Sequence, residues 1–345
     1  MQNNIRRRDF IKTVAAGSIT LGLAGRPLPG ISSEDSQPDR VGIIGLDTSH
    51  SVAFTRALND PAAGPEFGGY KVVAAYPKGS NDIKSSVDRI PGYTEDVKKL
   101  GVAIVDSIEE LLAVTDVILL ETNDGRLHLE QALPVMKAGK RMFIDKPIAA
   151  SLADTIAIFK MAEHYRVSIF SSSSLRYIAG VKEISEGSIG RVLGADTYSP
   201  ATIEKTHPDL FWYGIHGVEA LFTVMGTGCI SVSRAFTENT DKVVGIWSDR
   251  RIGTFRGIRY GRADYGGTVF GEKGITVLGK YSGYNSLLAE IVKFFQTGIS
   301  PVSREETTEI FAFMAAAEES KRKKGVPVSL EKMIRKAQQE AAKKL

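Results

Sequence analysis

Short apolar runs rich in Val and Ile alternate with segments of helical period through the first half of the chain. Strands buried on both faces of a parallel sheet give such continuous runs, and the helices between them cover the sheet. The runs are residues 41–45, 70–76, 102–105, 116–121 and 141–144, with helical patterns at 51–58, 93–100, 108–113 and 127–138. A further helix at 152–165 and strand at 167–170 extend the predicted sheet by one unit.

The pattern changes after about residue 171. Residues 230–278 hold several β-like runs separated by Gly and Asp, which is typical of a mostly antiparallel sheet. Helical patterns follow at 286–296 and 304–323, and the last residues form an amphipathic tail. We therefore predict an α/β domain over residues 40–149 and an α+β domain with a mostly antiparallel open sheet over residues 150–345.

The first 24 residues form a separate segment. The basic stretch RRRDFIK is followed by the weakly apolar run TVAAGSITLGLAG and small residues, the pattern of a secretory signal peptide. The run is shorter than the roughly 20 apolar residues of a membrane span. Arg7 to Lys12 resembles the twin-arginine export motif, with Arg6 where Ser or Thr is usual. The alternative is a basic arm before a membrane anchor.

The resemblance implies export of the folded chain by the twin-arginine machinery into the periplasm, without a stable membrane anchor. Residues 25–39, rich in Pro, Gly, Ser and Asp, are predicted to be a linker.

The leader holds four of the 44 basic residues and one of the 40 acidic ones, so the net charge falls from +4 to +1 without it. This charge does not indicate nucleic acid as a partner. Cys229 is the only cysteine, and we predict neither a disulfide nor a metal site.

The first strand runs into the sequence GLDTSH, residues 45–50, and then into a helix. Strand, tight turn and helix form the frame of a Rossmann-type dinucleotide-binding loop, which has Gly at the positions of Gly45, Asp47 and His50. Only Gly45 is present. Asp47 adds a charge that repels a diphosphate, whereas Thr48, Ser49 and His50 offer capping and donor groups at a helix N-terminus. We assign these five residues to cofactor binding.

The second strand ends in AAYPKGSND without a carboxylate at the position that binds the ribose hydroxyls of NAD. Lys78 and Ser80 favour a 2′-phosphate, so NADP is preferred over NAD. The alternative interpretation is a polar turn.

Two longer passages resemble the glucose-fructose oxidoreductase and inositol dehydrogenase family, known as the Gfo/Idh/MocA family. ETNDGRLHLEQALPVMKAGKRMFIDKPIAAS places Thr122-Asn123, His128 and Asp145-Lys146-Pro147 where that family has a Thr-Pro/Asn turn, a His and Glu-Lys-Pro. FWYGIHGVEALFTVMG is similar to its substrate-domain helix, and KKGVPVSL to its closing turn. The resemblance extends over residues 40–330.

The resemblance implies that Lys146 and His216 are catalytic, and that Thr122, Asn123 and Lys146 contact the cofactor. An imidazole can accept the proton of a hydroxyl group, and an ammonium group stabilises the alkoxide that forms. The implied function is NAD(P)-dependent oxidation or reduction of a sugar or cyclic polyol hydroxyl. The resemblance does not decide whether the cofactor stays tightly bound between turnovers. A buried structural histidine is the alternative for His216.

Five further residues are candidates for substrate contacts. Trp212 stands where the family has Asp, and an indole packs well against a sugar ring. The full set is Arg176, His207, Trp212, Tyr213 and Glu219. For Arg176, a surface charge is an equally good interpretation.

Two alternative functions remain at this point. One is a glycosidase-like enzyme that uses tightly bound NAD in a cycle of oxidation and re-reduction. The other is a cofactor-free sugar-binding or scaffold protein of the same fold. The family's open sheet face implies a homo-oligomer by analogy only.

Overall fold

The computed structural model describes residues 39–344. The predicted leader, residues 1–24, lies outside the described residues, as does the predicted linker apart from Asp39. Within residues 39–344, no helix has both the length and the apolar character needed to span a membrane.

A six-stranded parallel sheet forms the N-terminal part. Its strands are β1 (Arg40–Ile44), β2 (Lys71–Tyr76), β3 (Ala103–Ile104), β4 (Val117–Leu120), β5 (Met142–Ile144) and β6 (Ile169–Phe170). Their order is β3-β2-β1-β4-β5-β6, and every neighbouring pair is parallel. This is the predicted Rossmann-type sheet, which continues past residue 149 to Phe170.

Helices cover both faces of this sheet. Those of the N-terminal part are α1 (Ser49–Asn59), α2 (Lys84–Lys99), α3 (Ile108–Val114), α4 (His128–Lys137) and α5 (Leu152–Tyr165). Successive strand residues point to opposite faces. In β4, Val117 and Leu119 therefore belong to one apolar cluster, and Ile118 and Leu120 to the other. Burial on both sides explains why the strand is apolar throughout.

A second sheet of seven strands follows. Its strands are β7 (Val192–Pro200), β8 (Cys229–Phe236), β9 (Thr240–Trp247), β10 (Ile252–Ile258), β11 (Gly266–Gly271), β12 (Ile275–Leu278) and β13 (Val328–Ser329). The order is β12-β11-β7-β10-β9-β8-β13, and all pairs except β7 with β10 are antiparallel. The predicted mostly antiparallel sheet is confirmed.

The second part also contains five helices and a π-helical turn. They are α6 (Val181–Ser185), the π turn (Leu210–Gly214), α7 (Ile215–Met225), α8 (Asn285–Thr297), α9 (Arg304–Arg322) and α10 (Leu330–Ala341). Helices α7 and α9 pack on one face of the second sheet. The other face exposes apolar side chains, namely Tyr198, Ile246, Ile252, Phe270, Ile275 and Val277.

Helix α8 crosses back to the first sheet. Its residues Leu287, Ile291 and Phe294 are buried in the same apolar cluster as Val41 and Phe54. The sequence pattern predicts this helix as amphipathic but does not say which sheet it covers, because hydrophobic period identifies a buried face and not its partner.

The strand order reverses between β1 and β4. In open parallel sheets, a crevice forms at such a switch point, beyond the carboxyl ends of the strands. The loops after β1, β2, β4 and β5 therefore meet at one edge, and this brings together the GLDTSH loop, residues 77–82, residues 121–127 and the Asp145–Lys146 segment.

Candidate active site

A small polar pocket lies at this edge of the first sheet. Its volume is about 120 Å³, less than the roughly 300–1,000 Å³ typical of sites for drug-sized ligands. The lining residues are Thr48, Ser49, His50, Arg89, Tyr93, Asn123, Lys146, Ser174, Leu175, Tyr213, His216, Tyr265, Tyr281 and Tyr284. Both predicted catalytic residues are among them. The pocket is large enough for a small polyol and too small for a dinucleotide.

Lys146 and His216 lie on either side of Tyr213. The Lys146 Nζ atom is 6.0 Å from the centre of the Tyr213 ring, and the rings of Tyr213 and His216 are 5.7 Å apart. The His216 Nδ1 atom is 2.7 Å from Ser173 Oγ, which orients the imidazole. Burial, together with the positive charges of Lys146 and His50, lowers the pKa of His216 well below its usual range. The imidazole is therefore held neutral.

The altered glycine loop keeps its frame. Gly45 has φ of +89°, and a Cβ atom there would meet the Thr122 backbone nitrogen at 2.5 Å, so only glycine fits this position. The Thr48 side chain caps α1 by accepting a hydrogen bond from the His50 backbone N–H. Ser49 begins the helix and lines the pocket.

The Asp47 side chain bridges the loops after β2 and β4. Its carboxylate accepts hydrogen bonds from the backbone N–H of Ser80 at 3.1 Å and of Asn123 at 2.9 Å, and its side chain is fully buried. Burial raises the pKa of Asp47, against the effect of those two hydrogen bonds. The carboxylate thus occupies backbone donors at the ends of β2 and β4, where the loop sequence predicted contact with a cofactor.

A second cavity lies beside the loop after β2. It has a volume of about 590 Å³ and is lined by residues after β2 and β3 and along α4, including Tyr76, Lys78, Gly79 and Gln131. A Cβ atom on Gly79 would come within 2.2 Å of Asp47 Oδ2. The Asp47 carboxylate therefore packs against the backbone of one residue that lines this cavity.

The crevice keeps part of a dinucleotide-binding loop. The glycine turn at Gly45 and the α1 N-terminus are retained. In this loop type a diphosphate lies at the helix N-terminus, and here Asp47 places a buried carboxylate in the same loop. The disagreement between this loop and a bound dinucleotide lies at Asp47.

Three buried ionisable groups lie beneath the pocket, and we refer to His50, Glu121 and Asp145 as the pocket-floor cluster. The His50 Nδ1 atom is 3.0 Å from Asp145 Oδ1 and 3.8 Å from Glu121 Oε2. Lys146 Nζ is 4.0 Å from Asp145 Oδ2. The sequence prediction did not include Glu121 among the site residues. The feature that could have indicated it is a carboxylate directly after the buried strand β4.

Burial and the neighbouring Asp145 charge raise the pKa of Glu121 well above its usual range. Although burial opposes the effect, the positive charges of His50 and Lys146 lower the pKa of Asp145. The two carboxyl groups thus differ in their affinity for protons, with Glu121 the more readily protonated of the two.

Five tyrosines line the pocket, one of them Tyr93 of α2, and only Tyr213 was predicted. Tyr265, Tyr281 and Tyr284 come from irregular segments around β11, β12 and the start of α8. Tyr284 packs edge-on to His50, with ring centres 4.4 Å apart. Aromatic rings with hydroxyl tips suit a ligand with both apolar carbon and hydroxyl groups. These segments have no periodic pattern, so the sequence gave no reason to place them here.

The remaining predicted substrate residues do not line the pocket. Arg176 and Glu219 are buried and paired, with Arg176 Nε donating to Glu219 Oε1 at 3.0 Å, and Arg176 also pairs with Glu306. Arg176 is therefore not the surface charge of the alternative interpretation, and neither residue is among those that line the pocket. The pair lies behind the Ser173 segment, whose backbone N–H donates to Glu219.

His207 and Trp212 pack against each other, with ring centres 4.9 Å apart. His207 Nε2 is 3.3 Å from Asp124 Oδ1, which ties the second domain to the loop after β4. Thr122 and Ser80 are likewise buried beneath the crevice surface. His128 bridges the Thr122 and Ile148 carbonyl groups, a structural role.

Residues 40–172 match the Gfo/Idh/MocA family model, described as "Oxidoreductase family, NAD-binding Rossmann fold". The chain is also 32% identical over 99 residues to 1,5-anhydro-D-fructose reductase of Ensifer adhaerens, and 28% identical over 120 residues to an uncharacterized oxidoreductase of Streptococcus pneumoniae. These matches cover 27% and 33% of this chain, and 30% and 32% of those proteins. The chain thus spans about a third of the length of the curated relatives it matches.

Solved structures show the same fold over both domains. A probable dehydrogenase from Thermotoga maritima has a TM-score of 0.70 at 20% identity, covering 86% of this chain and 100% of that one. Scyllo-inositol dehydrogenase from Lactobacillus casei, with bound NAD(H) and scyllo-inositol, has a TM-score of 0.67 at 14% identity, covering 85% and 99%. These likenesses concern the fold. Together with the family model, they support the Gfo/Idh/MocA resemblance.

Proposed function

We propose that this chain is an oxidoreductase of the Gfo/Idh/MocA family that oxidises or reduces a hydroxyl-bearing carbon of a sugar or polyol with NAD or NADP. The observation that carries the proposal is that Lys146 and His216 line one small polar pocket at the carboxyl edge of the first sheet. The family model for residues 40–172 and the similarity to a sugar reductase over 99 residues support the same chemistry.

The pocket residues supply the proton chemistry of this reaction. His216 is held neutral by burial and by nearby positive charge, so in the oxidative direction it accepts the proton of the substrate hydroxyl. The Lys146 ammonium group stabilises the resulting alkoxide. The nicotinamide, when bound, supplies the hydride acceptor. The tyrosine hydroxyls orient the remaining substrate hydroxyls.

We further propose NADP as the preferred cofactor. Lys78 lines the larger cavity, and Asp82, the nearest carboxylate downstream of β2, is paired with Arg126 and accepts a hydrogen bond from Ser80. A lysine without a competing ribose-binding carboxylate favours a 2′-phosphate.

Titration of the purified protein with NADP and NAD, followed by fluorescence, tests the cofactor assignment. Asp47→Gly removes the carboxylate that bridges the loops after β2 and β4, and Asp47→Asn keeps its size without its charge. We expect Asp47→Gly to tighten binding at least about tenfold, with a smaller gain for Asp47→Asn, since the charge and the volume oppose the diphosphate separately. Absence of binding in all three proteins contradicts a nucleotide-dependent enzyme.

Turnover on a panel of sugars and inositols tests the catalytic assignment. We expect His216→Ala to lower kcat by about 10²–10⁴-fold, the usual contribution of a general base. Lys146→Ala should lower it comparably, whereas Lys160→Ala, an exposed lysine on α5, serves as the control. Equal kcat for wild type and His216→Ala removes His216 from the mechanism.

A cofactor-free sugar-binding protein is the second candidate, favoured by one observation. Asp47 is fully buried and accepts two backbone hydrogen bonds, so it places a carboxylate in the loop that would bind the diphosphate. Calorimetric sugar binding without cofactor binding or turnover supports this candidate. Cofactor-dependent turnover that is lost in Lys146→Ala rejects it.

Export through the twin-arginine pathway to the periplasm is also a proposal, supported by residues 6–12. Residues 1–39 fused to a folded reporter should carry it across the inner membrane. The Arg7→Lys, Arg8→Lys double variant should leave the reporter inside the cell. Unchanged export of that variant contradicts the pathway.

We also propose that the open face of the second sheet pairs two copies of the chain. Ile252 and Ile246 lie opposite each other on this face and are 53% and 43% exposed. Light scattering should show a dimer or higher oligomer for wild type and a monomer for Ile252→Lys. Ile299→Lys, at an exposed isoleucine outside the sheet, is the control. A monomeric wild type contradicts the pairing.

A further inference from the structure

The pocket-floor cluster contains carboxylate oxygens without hydrogen-bond partners. In the described part of the chain, neither Glu121 oxygen nor Asp145 Oδ2 has such a partner, although both residues are fully buried. Buried polar atoms are nearly always hydrogen-bonded, and leaving one unsatisfied is costly. The cluster therefore requires a compensating group.

The imidazole of His50 does not meet this need for Glu121. The His50 Nδ1 atom is 3.8 Å from Glu121 Oε2 and already lies 3.0 Å from Asp145 Oδ1, so this nitrogen does not give Glu121 a hydrogen bond.

The spacing of the three side chains suits a metal ion. One nitrogen or oxygen atom of each of His50, Glu121 and Asp145 lies within 4.8 Å of the others. Ligand atoms roughly 2.0–2.2 Å from a zinc ion, and at tetrahedral or octahedral angles to each other, are separated by about 3–4 Å. The 3.8 Å separation between His50 Nδ1 and Glu121 Oε2 falls in this range. The 3.0 Å separation between His50 Nδ1 and Asp145 Oδ1 is that of a hydrogen bond, which coordination of both groups to one ion would replace.

The ligand set indicates which metals fit. One imidazole nitrogen and two carboxylates form a mixed nitrogen and oxygen site, which suits Zn²⁺ or Mn²⁺ better than Ca²⁺, which takes oxygen ligands only. Lys146 Nζ lies 4.0 Å from Asp145 Oδ2, and no lysine or arginine lies within ion-pair distance of Glu121 in the described chain. His50 also lines the pocket, so the site borders the substrate space.

We propose that His50, Glu121 and Asp145 bind a single divalent transition-metal ion, Zn²⁺ or Mn²⁺, beneath the pocket. The ion supplies the partner that the Glu121 carboxylate lacks. The inference stands apart from the proposed oxidoreductase activity, because it rests only on these three side chains.

Equilibrium dialysis of the full chain tests the site. The protein is first stripped with a chelator and then equilibrated with Zn²⁺, Mn²⁺ or Mg²⁺, and bound metal is measured by elemental analysis. We expect one equivalent of Zn²⁺ or Mn²⁺ per chain and at least about tenfold weaker binding in Glu121→Gln. Glu183→Gln, an exposed glutamate on α6, should bind as wild type does. The visible spectrum of the Co²⁺ form reports imidazole coordination, which His50→Gln should remove.

Three results overturn the proposal. They are less than one equivalent of every metal in wild type, equal affinity in wild type and Glu121→Gln, and a Co²⁺ spectrum unchanged by His50→Gln. Circular dichroism in chelator establishes that each variant is folded. If Glu121→Gln does not fold, Asp145→Asn takes its place. A crystal structure with a water molecule at the centre of the cluster, after incubation with Zn²⁺ and Mn²⁺, also overturns it.

Discussion

Two groups of buried charges in this molecule differ in whether their polar atoms have hydrogen-bond partners. In the second domain, Arg234 donates to Asp241 at 2.8 Å, Glu318 at 2.7 Å and Asp209 at 2.7 Å, and we name these four residues the Arg234 cluster. Its arginine side chain is fully buried and every guanidinium nitrogen has a carboxylate partner. In the pocket-floor cluster, by contrast, three carboxylate oxygens have no hydrogen-bond partner in the described chain.

The difference separates a structural role from a functional one. A buried charge that is fully hydrogen-bonded maintains the fold, and removal of one member is costly. A buried charge without partners lowers stability and persists where another group, such as a ligand or metal, compensates it. The first two of the predictions that follow test this contrast, and the third extends it to His216, a buried ionisable group of the pocket; they run from the largest expected effect to the smallest.

Arg234→Met should lower the free energy of unfolding by about 3–5 kcal/mol, because it leaves three carboxylates without their shared cation. Urea denaturation measures the loss. Arg335→Met is the matched control, since Arg335 forms only an exposed pair with Glu331 on α10 and should cost at most about 0.5 kcal/mol. Similar losses for the two variants would show that the Arg234 cluster contributes little to stability.

Glu121→Met should raise the free energy of unfolding by about 1 kcal/mol in metal-free protein at pH 8, because an apolar chain of similar length replaces a buried carboxylate that has no hydrogen bond. Asp241→Asn should lower it by about 2 kcal/mol, because Asp241 pairs with both Arg234 and Arg259. Urea denaturation in chelator measures both. A marked loss in Glu121→Met means that Glu121 has a stabilising partner.

His216 should make stability depend on pH. Its pKa is lowered in the folded protein, whereas in the unfolded chain it is about 6.5. At a pH between these two values, His216 is protonated in the unfolded chain and neutral in the folded protein. Stability therefore falls as the pH falls below about 6.5. From pH 6.5 to 5.5, wild type should lose about 1 kcal/mol more than His216→Gln, measured by urea denaturation. Parallel pH curves for the two proteins contradict a depressed pKa.

Sequence patterns were sufficient where burial imposes a period on the chain. The apolar run of β4 predicts a strand covered on both faces, and the motif around Lys146 and the helix of His216 indicate two residues that do line one pocket. The strand, turn and helix frame at Gly45 could likewise be predicted. The positive φ and the close contact with Thr122 explain why glycine is required there.

Contacts between distant segments could not be predicted in this way. The Asp47 bridge joins the ends of β2 and β4, and Arg176 turns from the pocket to Glu219, 43 residues further along the chain. Neither contact leaves a periodic signal. A sequence pattern reports whether a side chain is buried, and not which group it meets.

By itself, the sequence determined the two sheets, their order along the chain and the two residues most suited to proton chemistry, because period and motif are local properties. Only the tertiary structure decided that Asp47 bridges the loops after β2 and β4. It also decided that Tyr265, Tyr281 and Tyr284 line the pocket. The same holds for the position of Glu121 beside His50 and Asp145. The physical reason is that hydrogen bonding, charge and metal coordination depend on distances of a few ångströms between residues that the fold alone brings together.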